Sequence, residues 1–369
     1  MSAPSKLRSG WILGPRADFL IFSGPVLIAL AWIALAHRAG LLHAPMPPWA
    51  FALLIVGCDV SHVWATAFRV YLDPDEFARR RSLYLGIPLA CLVGGILLHS
   101  SSQDGALFWR VLAYLAAFHF VRQQWGWVAY ARHRAGERGA LDRRLDQLAI
   151  YNATLFPLLW WHANLPRAFD WFLAGDFAGG LSPVAGDLGA SIHWSINLLY
   201  LGRQLFLLLS GRGLNYAKLQ VWVTTWIAWY GGIVVLDSDL AFSALNVLSH
   251  GVPYLAVVWV VERDRWRGQN GFPSGLFRGA GWLGFLGLLL LAGFGEEWAW
   301  DRLVWHEHAT LFPGAALSLP RSLFSLLVPL LALPQATHYV LDGWIWKIKR
   351  HAELSDWIAP AAGEGARPN

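Results

Sequence analysis

The 369-residue chain is 56% hydrophobic and 14% charged, where a soluble domain carries about 25% charged residues. With a mean hydropathy of +0.40 and 23 Trp, it holds more apolar surface than one water-soluble core can bury. The net charge of +5 does not indicate a nucleic-acid partner, because the Lys and Arg cluster between hydrophobic segments, as in a membrane protein.

Apolar stretches of spanning length recur along the chain. In order, the pattern predicts ten helices at 19–36, 49–72, 83–99, 107–131, 146–162, 189–209, 219–236, 240–261, 279–295 and 321–347. Trp11, Gly14, Pro15 and Asp18 read as a short interfacial segment, 1–18, before the first span. Lys6, Arg8 and Arg16 precede that span with no small-residue cleavage site, so it reads as uncleaved. Cys58 and Cys91 both lie in apolar stretches and read as buried small hydrophobes, with no disulfide framework or CxxC motif.

The loops alternate in charge. One set holds Arg79 to Arg81; Arg132, Arg134, Arg138, Arg143 and Arg144; Arg212 and Lys218; Arg263, Arg265, Arg267 and Arg278; and, at the C-terminus, Lys347, Lys349 and Arg350. The other set holds only Arg38, Arg167 and Arg302. Under the positive-inside rule this places both termini in the cytoplasm and requires an even number of spans. The expected protein is all-α: one polytopic helical-bundle domain over 1–369, multi-pass in a cell membrane of the bacterial inner-membrane type, with a disordered tail at 348–369. The opposite-side loops 163–188 and 296–320 are rich in Gly, Pro and aromatics and are expected to pack as caps or to carry short interfacial helices. Tyr71, Trp127, Tyr130, Trp259, Trp344 and Trp346 read as an interfacial aromatic belt. Asn152 and Asn197 read as hydrogen-bonding groups between helices.

Four histidines stand alone in apolar segments: His62, His119, His250 and His338. Ionisable groups at membrane depth are rare and point to function. All four fall on even-numbered spans, which run in one direction. They precede the charged ends Asp73, Arg132, Arg263 and Lys347 by 11, 13, 13 and 9 residues, a spread of roughly 6 Å at about 1.5 Å per residue. The rings can therefore share one layer. Each has polar neighbours a turn away on its own helix: Asp59 for His62, Arg122 and Gln123 for His119, Asn246 for His250 and Asp342 for His338. A metal-bound imidazole needs such a partner for its second nitrogen. The four histidines are the expected metal ligands. Asp59 and Asp342 are expected to orient ligands or take protons. Arg122 is expected to pair with one of those carboxylates or with a substrate headgroup. The alternative for any single ring is a hydrogen bond to a neighbouring carbonyl.

Other polar groups fit less well. Arg69 reads as an anchor at the cytoplasmic edge or a clamp for a lipid anion. His306-Glu307-His308 falls in an outer loop without periodic support. Val60-Ser61-His62 and Leu248-Ser249-His250 form a faint internal echo.

Histidines on separate helices of a lipid-embedded bundle resemble, in layout, the membrane histidine-cluster metal oxygenases of the Brp/Blh-type carotene dioxygenase kind. The paired HxxxH and HxxHH boxes of the integral-membrane desaturases are missing, which weighs against a two-metal plan. The resemblance implies iron, or another divalent metal, acting oxidatively on a lipid or isoprenoid that enters from the bilayer, with an undetermined redox partner. Two other functions stay open: haem ligation by two of the histidines, and a proton- or ion-coupled transporter using midplane His and Asp.

Overall fold

A computed structural model describes residues 10–347. Lys6, Arg8, Lys349, Arg350 and the tail at 348–369 lie outside the described residues, as does most of the segment before residue 15. Helix makes up 75% of the structure, and no strand occurs among the described residues.

Ten long helices are present among the described residues: α1 (Pro15–Arg38), α2 (Pro48–Arg69), α3 (Arg81–Ser100), α4 (Ala106–Arg134), α5 (Ala140–Ala163), α6 (Pro183–Leu209), α7 (216–235), α8 (Asp239–Arg265), α9 (Gly281–Trp305) and α10 (Arg321–Ile345). Seven of them, all but α5, α6 and α7, are long and apolar enough to cross a membrane. The chain is thus a multi-pass, all-helical membrane protein. The largest departures from the sequence reading are at helix ends. α5 starts six residues earlier, at Ala140, because Asp142 and Asp146 are held by Arg203 and by Lys218 and Arg132. α9 runs ten residues further, to Trp305, and so carries Glu296 and Glu297 within the helix. α10 is interrupted at Ala332, where Pro334 stands two residues on and cannot continue the hydrogen-bond ladder.

Burial separates an inner set from an outer one. The apolar window of α8 is 72% buried and those of α2 and α4 are 56% buried, against 33% for α1, 28% for α9 and 17% for α3. α10, at 39%, packs on α2, α3 and α4 and closes the inner set. Outside it, α1 and α7 back α8, α9 backs α2, and α3 backs α10. α5 lies against α4 and α7, and α6 packs on α5. The outer helices keep rows of exposed Leu, such as Leu198, Leu199, Leu205 and Leu209 on α6, which suits contact with lipid.

Small residues set the closest approach. A Cβ on Gly251 of α8 would stand 2.7 Å from Cys58 Sγ and 3.2 Å from the Cys58 carbonyl on α2, so glycine is what lets these two helices touch. α2 also contains a nine-residue π-helical stretch, Ala52–Val60, ending just before His62. Wider turns of this kind often occur at functional sites. Both Gly- and Pro-rich connecting segments pack onto the bundle through aromatic residues. Phe169 and Phe177 pack with Trp161 and Phe242, and Phe312 packs on Phe51 and Phe294. At the N-terminal end, the Asp18 carboxylate accepts from the Ile12 and Leu13 amides, both at 2.7 Å. The predicted aromatic belt is only partly at the surface: Trp127 and Tyr130 are 3% and 4% exposed and pack inside the bundle.

Candidate metal centre

The inner helices α2, α4, α8 and α10 each contribute one histidine, and the four rings meet. His62, His119, His250 and His338 are 0–3% exposed, and one ring nitrogen from each lies within 4.8 Å of the other three. The Nε2 atoms form the meeting point. His62 and His250 are 3.1 Å apart, His250 and His119 3.2 Å, and His119 and His338 3.1 Å. Neighbouring nitrogens bound to one metal at about 2.1 Å stand roughly 3.0 Å apart at right angles and roughly 3.4 Å apart in a tetrahedron, so these three spacings fit ligands of one shared ion in either geometry.

Hydrogen bonding satisfies this arrangement poorly. A neutral imidazole nitrogen offers one hydrogen or one lone pair. The Nε2 atoms of His119 and His250 each face two others at these distances, so any pairing must share one hydrogen or one lone pair between two bent contacts. A cation at the centre takes all four lone pairs at once. The opposite nitrogens fit that state, because Nδ1 then carries the hydrogen and needs an acceptor. His338 Nδ1 lies 2.6 Å from the Thr66 hydroxyl. His119 Nδ1 lies 3.5 Å from Asp342 Oδ2. His62 Nδ1 lies 3.7 Å from Asp59 Oδ1, beyond hydrogen-bond length. His250 Nδ1 has no hydrogen-bond partner among the described residues; its ring is fixed instead by Phe120, stacked at 3.5 Å between centroids and 8° between planes. Four buried histidines that can hold a metal ion are therefore present, and they are the group of this kind found among the described residues.

The partners differ from those expected along each helix. Asp59 does face His62, but Asp342 faces His119 across the helix contact rather than His338 on its own helix. Gln123 donates to the His250 carbonyl at 2.9 Å, and Asn246 donates to the Phe242 carbonyl at 3.0 Å. Neither touches a ring nitrogen. Arg122 pairs with neither Asp59 nor Asp342; it is exposed and donates to the Tyr151 hydroxyl at 2.5 Å. Arg69 is no surface anchor. It is 2% exposed and donates to Glu262 at 2.6 Å, joining α2 to α8, because a charge turned into the bundle must find its counter-charge there.

Thr66 and Tyr254 escaped the sequence reading. Each stands four residues after a histidine, His62 and His250, on the same helix face, so the same rule could have found them. Their hydroxyls are 3.0 Å apart. Glu296, which accepts from Trp64 Nε1 at 2.7 Å, was missed because α9 was expected to end at residue 295.

The remaining polar groups have structural roles. Asn152 donates to Asn197 Oδ1 at 3.2 Å between α5 and α6, as expected. His193 is bonded by Trp226 and Asn197 at 3.0 Å. In the outer loop, Asp301 accepts from the Glu307 and His308 amides, and the His308 ring packs on Phe51. The two cysteines are free, Cys58 buried and Cys91 partly so.

Beside the cluster lies a cavity of about 840 Å³, lined by His119, Asp342, Tyr254 and Tyr339 among others. It is within the roughly 300–1,000 Å³ of small-molecule sites. No protein-family model, curated protein or solved structure matches the chain.

Proposed function

We propose that the protein is a membrane-embedded, metal-dependent oxidoreductase acting on a lipid or isoprenoid, with His62, His119, His250 and His338 holding one iron ion. The convergence of four buried Nε2 atoms carries this reading. Imidazole nitrogens suit iron, copper, nickel and zinc alike. Iron is favoured because a metal with six positions keeps two open beside four histidines, whereas tetrahedral zinc is closed by four ligands.

Bound iron supplies a redox centre through which dioxygen, the oxidant, reacts with an apolar substrate. Adding both oxygen atoms of O₂ across a carbon–carbon double bond with cleavage gives two carbonyl products and needs no outside electrons. Hydroxylation or desaturation consumes two electrons and two protons per O₂ and requires a redox partner. The protein's own groups do the holding. Thr66 orients His338, Asp342 faces His119 and Asp59 faces His62, and both carboxylates stand ready to hold a proton near the site. The adjoining cavity supports a substrate that arrives from the bilayer.

The same reading takes all ten helices as spans with both termini on the cytoplasmic side, in a bacterial-type inner membrane. The charge alternation supports it, with Arg-rich loops at one end of the bundle and Arg-poor loops at the other. Haem ligation is disfavoured, because nitrogens 3.1–3.2 Å apart leave no room for a macrocycle among them. A transporter is disfavoured because the four rings are 0–3% exposed and pack against one another rather than lining a path.

Elemental analysis and an absorption spectrum of detergent-purified protein test the proposal, wild type beside His250→Ala. Near-stoichiometric iron in the wild type that is lost in the variant is the expected result. A Soret band, zinc alone, or no metal after purification without chelators overturns it.

A further inference from the structure

The cavity beside the cluster has a charged group that the metal centre does not use. Arg122 lines it, one helical turn from His119, near the midpoint of the 29-residue α4. It is exposed, its Nη1 donates to the Tyr151 hydroxyl, also in the lining, and no carboxylate lies within ion-pair distance among the described residues. A guanidinium at mid-membrane without a counter-charge is costly. Lys347, over the Trp344 ring at 4.5 Å, adds a second cation to the lining. The acid in the lining, Asp342, is turned toward His119, its Oδ2 3.5 Å from Nδ1.

The rest of the lining suits a hydrocarbon. It is mainly aromatic and aliphatic, and two of its members, Phe118 and Leu155, are 61% and 51% exposed, so the cavity opens on the lipid-facing surface. The space is created by missing side chains. Gly126 and Gly343 both line it, and a Cβ added to either meets no atom within 4 Å. Glycine inside a helix is less favourable than alanine. Here nothing in the packing requires it, and what it yields is volume.

We infer that this cavity binds a single-chain amphiphile with an oxyanion headgroup, a carboxylate or phosphate monoester, taken laterally from the membrane. Arg122 and the Tyr151 hydroxyl hold the headgroup, and the chain lies along the glycine-lined hollow toward His119. This rests on the proposed function in naming the substrate class of that site. Binding itself needs no metal. Planar, bidentate recognition of an oxyanion is what arginine does best.

The test is quenching of tryptophan fluorescence in detergent-purified protein by 9,10-dibromostearic acid, with its methyl ester as the uncharged control. Trp125, Trp127, Trp344 and Trp346 line the cavity and report occupancy. The acid is expected to bind roughly tenfold or more tightly than the ester, the scale of a charge-assisted hydrogen bond. Arg122→Gln removes that preference and Arg122→Lys keeps part of it. Gly126→Leu, whose Cβ enters open space, blocks acid and ester alike. Stearyl phosphate displaces the acid if any oxyanion serves; failure to displace it restricts the headgroup to a carboxylate. Equal quenching by acid and ester, unchanged in Arg122→Gln, overturns the inference, as does quenching that survives Gly126→Leu. Metal content is measured on the same samples. Selective binding by metal-free wild type overturns the proposed function and leaves this site standing; bound iron without acid selectivity does the reverse.

Discussion

The Thr66 hydroxyl lies 2.6 Å from His338 Nδ1 and 3.0 Å from the Tyr254 hydroxyl, which places one small side chain in control of a ring's orientation. Removing a hydrogen bond of this kind typically weakens metal binding about 10–100-fold. Thr66→Val, which keeps the shape, is expected to lose affinity by that factor in a chelator competition, while Thr66→Ser is expected to stay near wild type. If Val matches Ser, the hydroxyl does not support the ring. His119 presents a second case, because Asp342 stands 3.5 Å from its Nδ1. Asp342→Asn is expected to lower metal affinity, since neutral amides accept hydrogen bonds less strongly than carboxylates, but by less than Thr66→Val does, since the contact is longer. All four histidines of the cluster were legible from single residues, as isolated histidines in apolar segments. Their supports were only half legible, because Asp59 shares a helix with its histidine whereas Thr66 and Asp342 serve histidines on other helices.

Between elements, the α2–α8 contact carries both a packing constraint and an ion pair. Gly251 stands next to His250, and a Cβ there would come within 2.7 Å of Cys58 Sγ. Gly251→Val is expected to force the helices apart and cost about 1–3 kcal/mol, read as a lower melting temperature in detergent together with reduced metal content. Nearer the C-terminal ends of α2 and α8, Arg69 and Glu262 are 2% and 0% exposed and 2.6 Å apart. Removing one partner of a buried pair leaves a buried charge and costs about 3–5 kcal/mol. Glu262→Gln is expected to fall at the low end of that range, since Asp73 also acts on Arg69. An Arg69→Met/Glu262→Met double variant is expected to melt above Glu262→Gln; if it does not, the pair is not what holds these helix ends together. Every one of the ten helices was legible from apolar runs and loop charge. Their ends were not, as α5 and α9 show, because a polar turn extends a helix when its charges find partners on other helices.

Across the whole molecule, the direction of each helix decides whether four distant histidines can meet. The ones that carry them are all even-numbered, and in the proposed ten-span topology these run the same way, so rings at equal distance from the charged ends fall in one layer. The ten-span topology has a direct check. Single cysteines at Arg212→Cys and Arg267→Cys are expected to label from the cytoplasmic side only, and at Ala174→Cys and Ser318→Cys from the opposite side only. Labelling of Arg212→Cys and Arg267→Cys from different sides contradicts it, because they flank the α7–α8 pair.

The sequence by itself determined the class of molecule, the set of helices and which histidines stand alone in their apolar runs. These depend on hydropathy, charge asymmetry and the rise of a helix, all properties of local chain. Only the tertiary structure decided that the layer closes into one cluster, that Asp342 serves His119, that Arg69 turns inward to Glu262, and that Arg122 faces a cavity. Such contacts depend on the order and rotation of helices in the bundle. An apolar side chain packs as readily against lipid as against another helix, so hydrophobic pattern carries little information about which helix lies beside which.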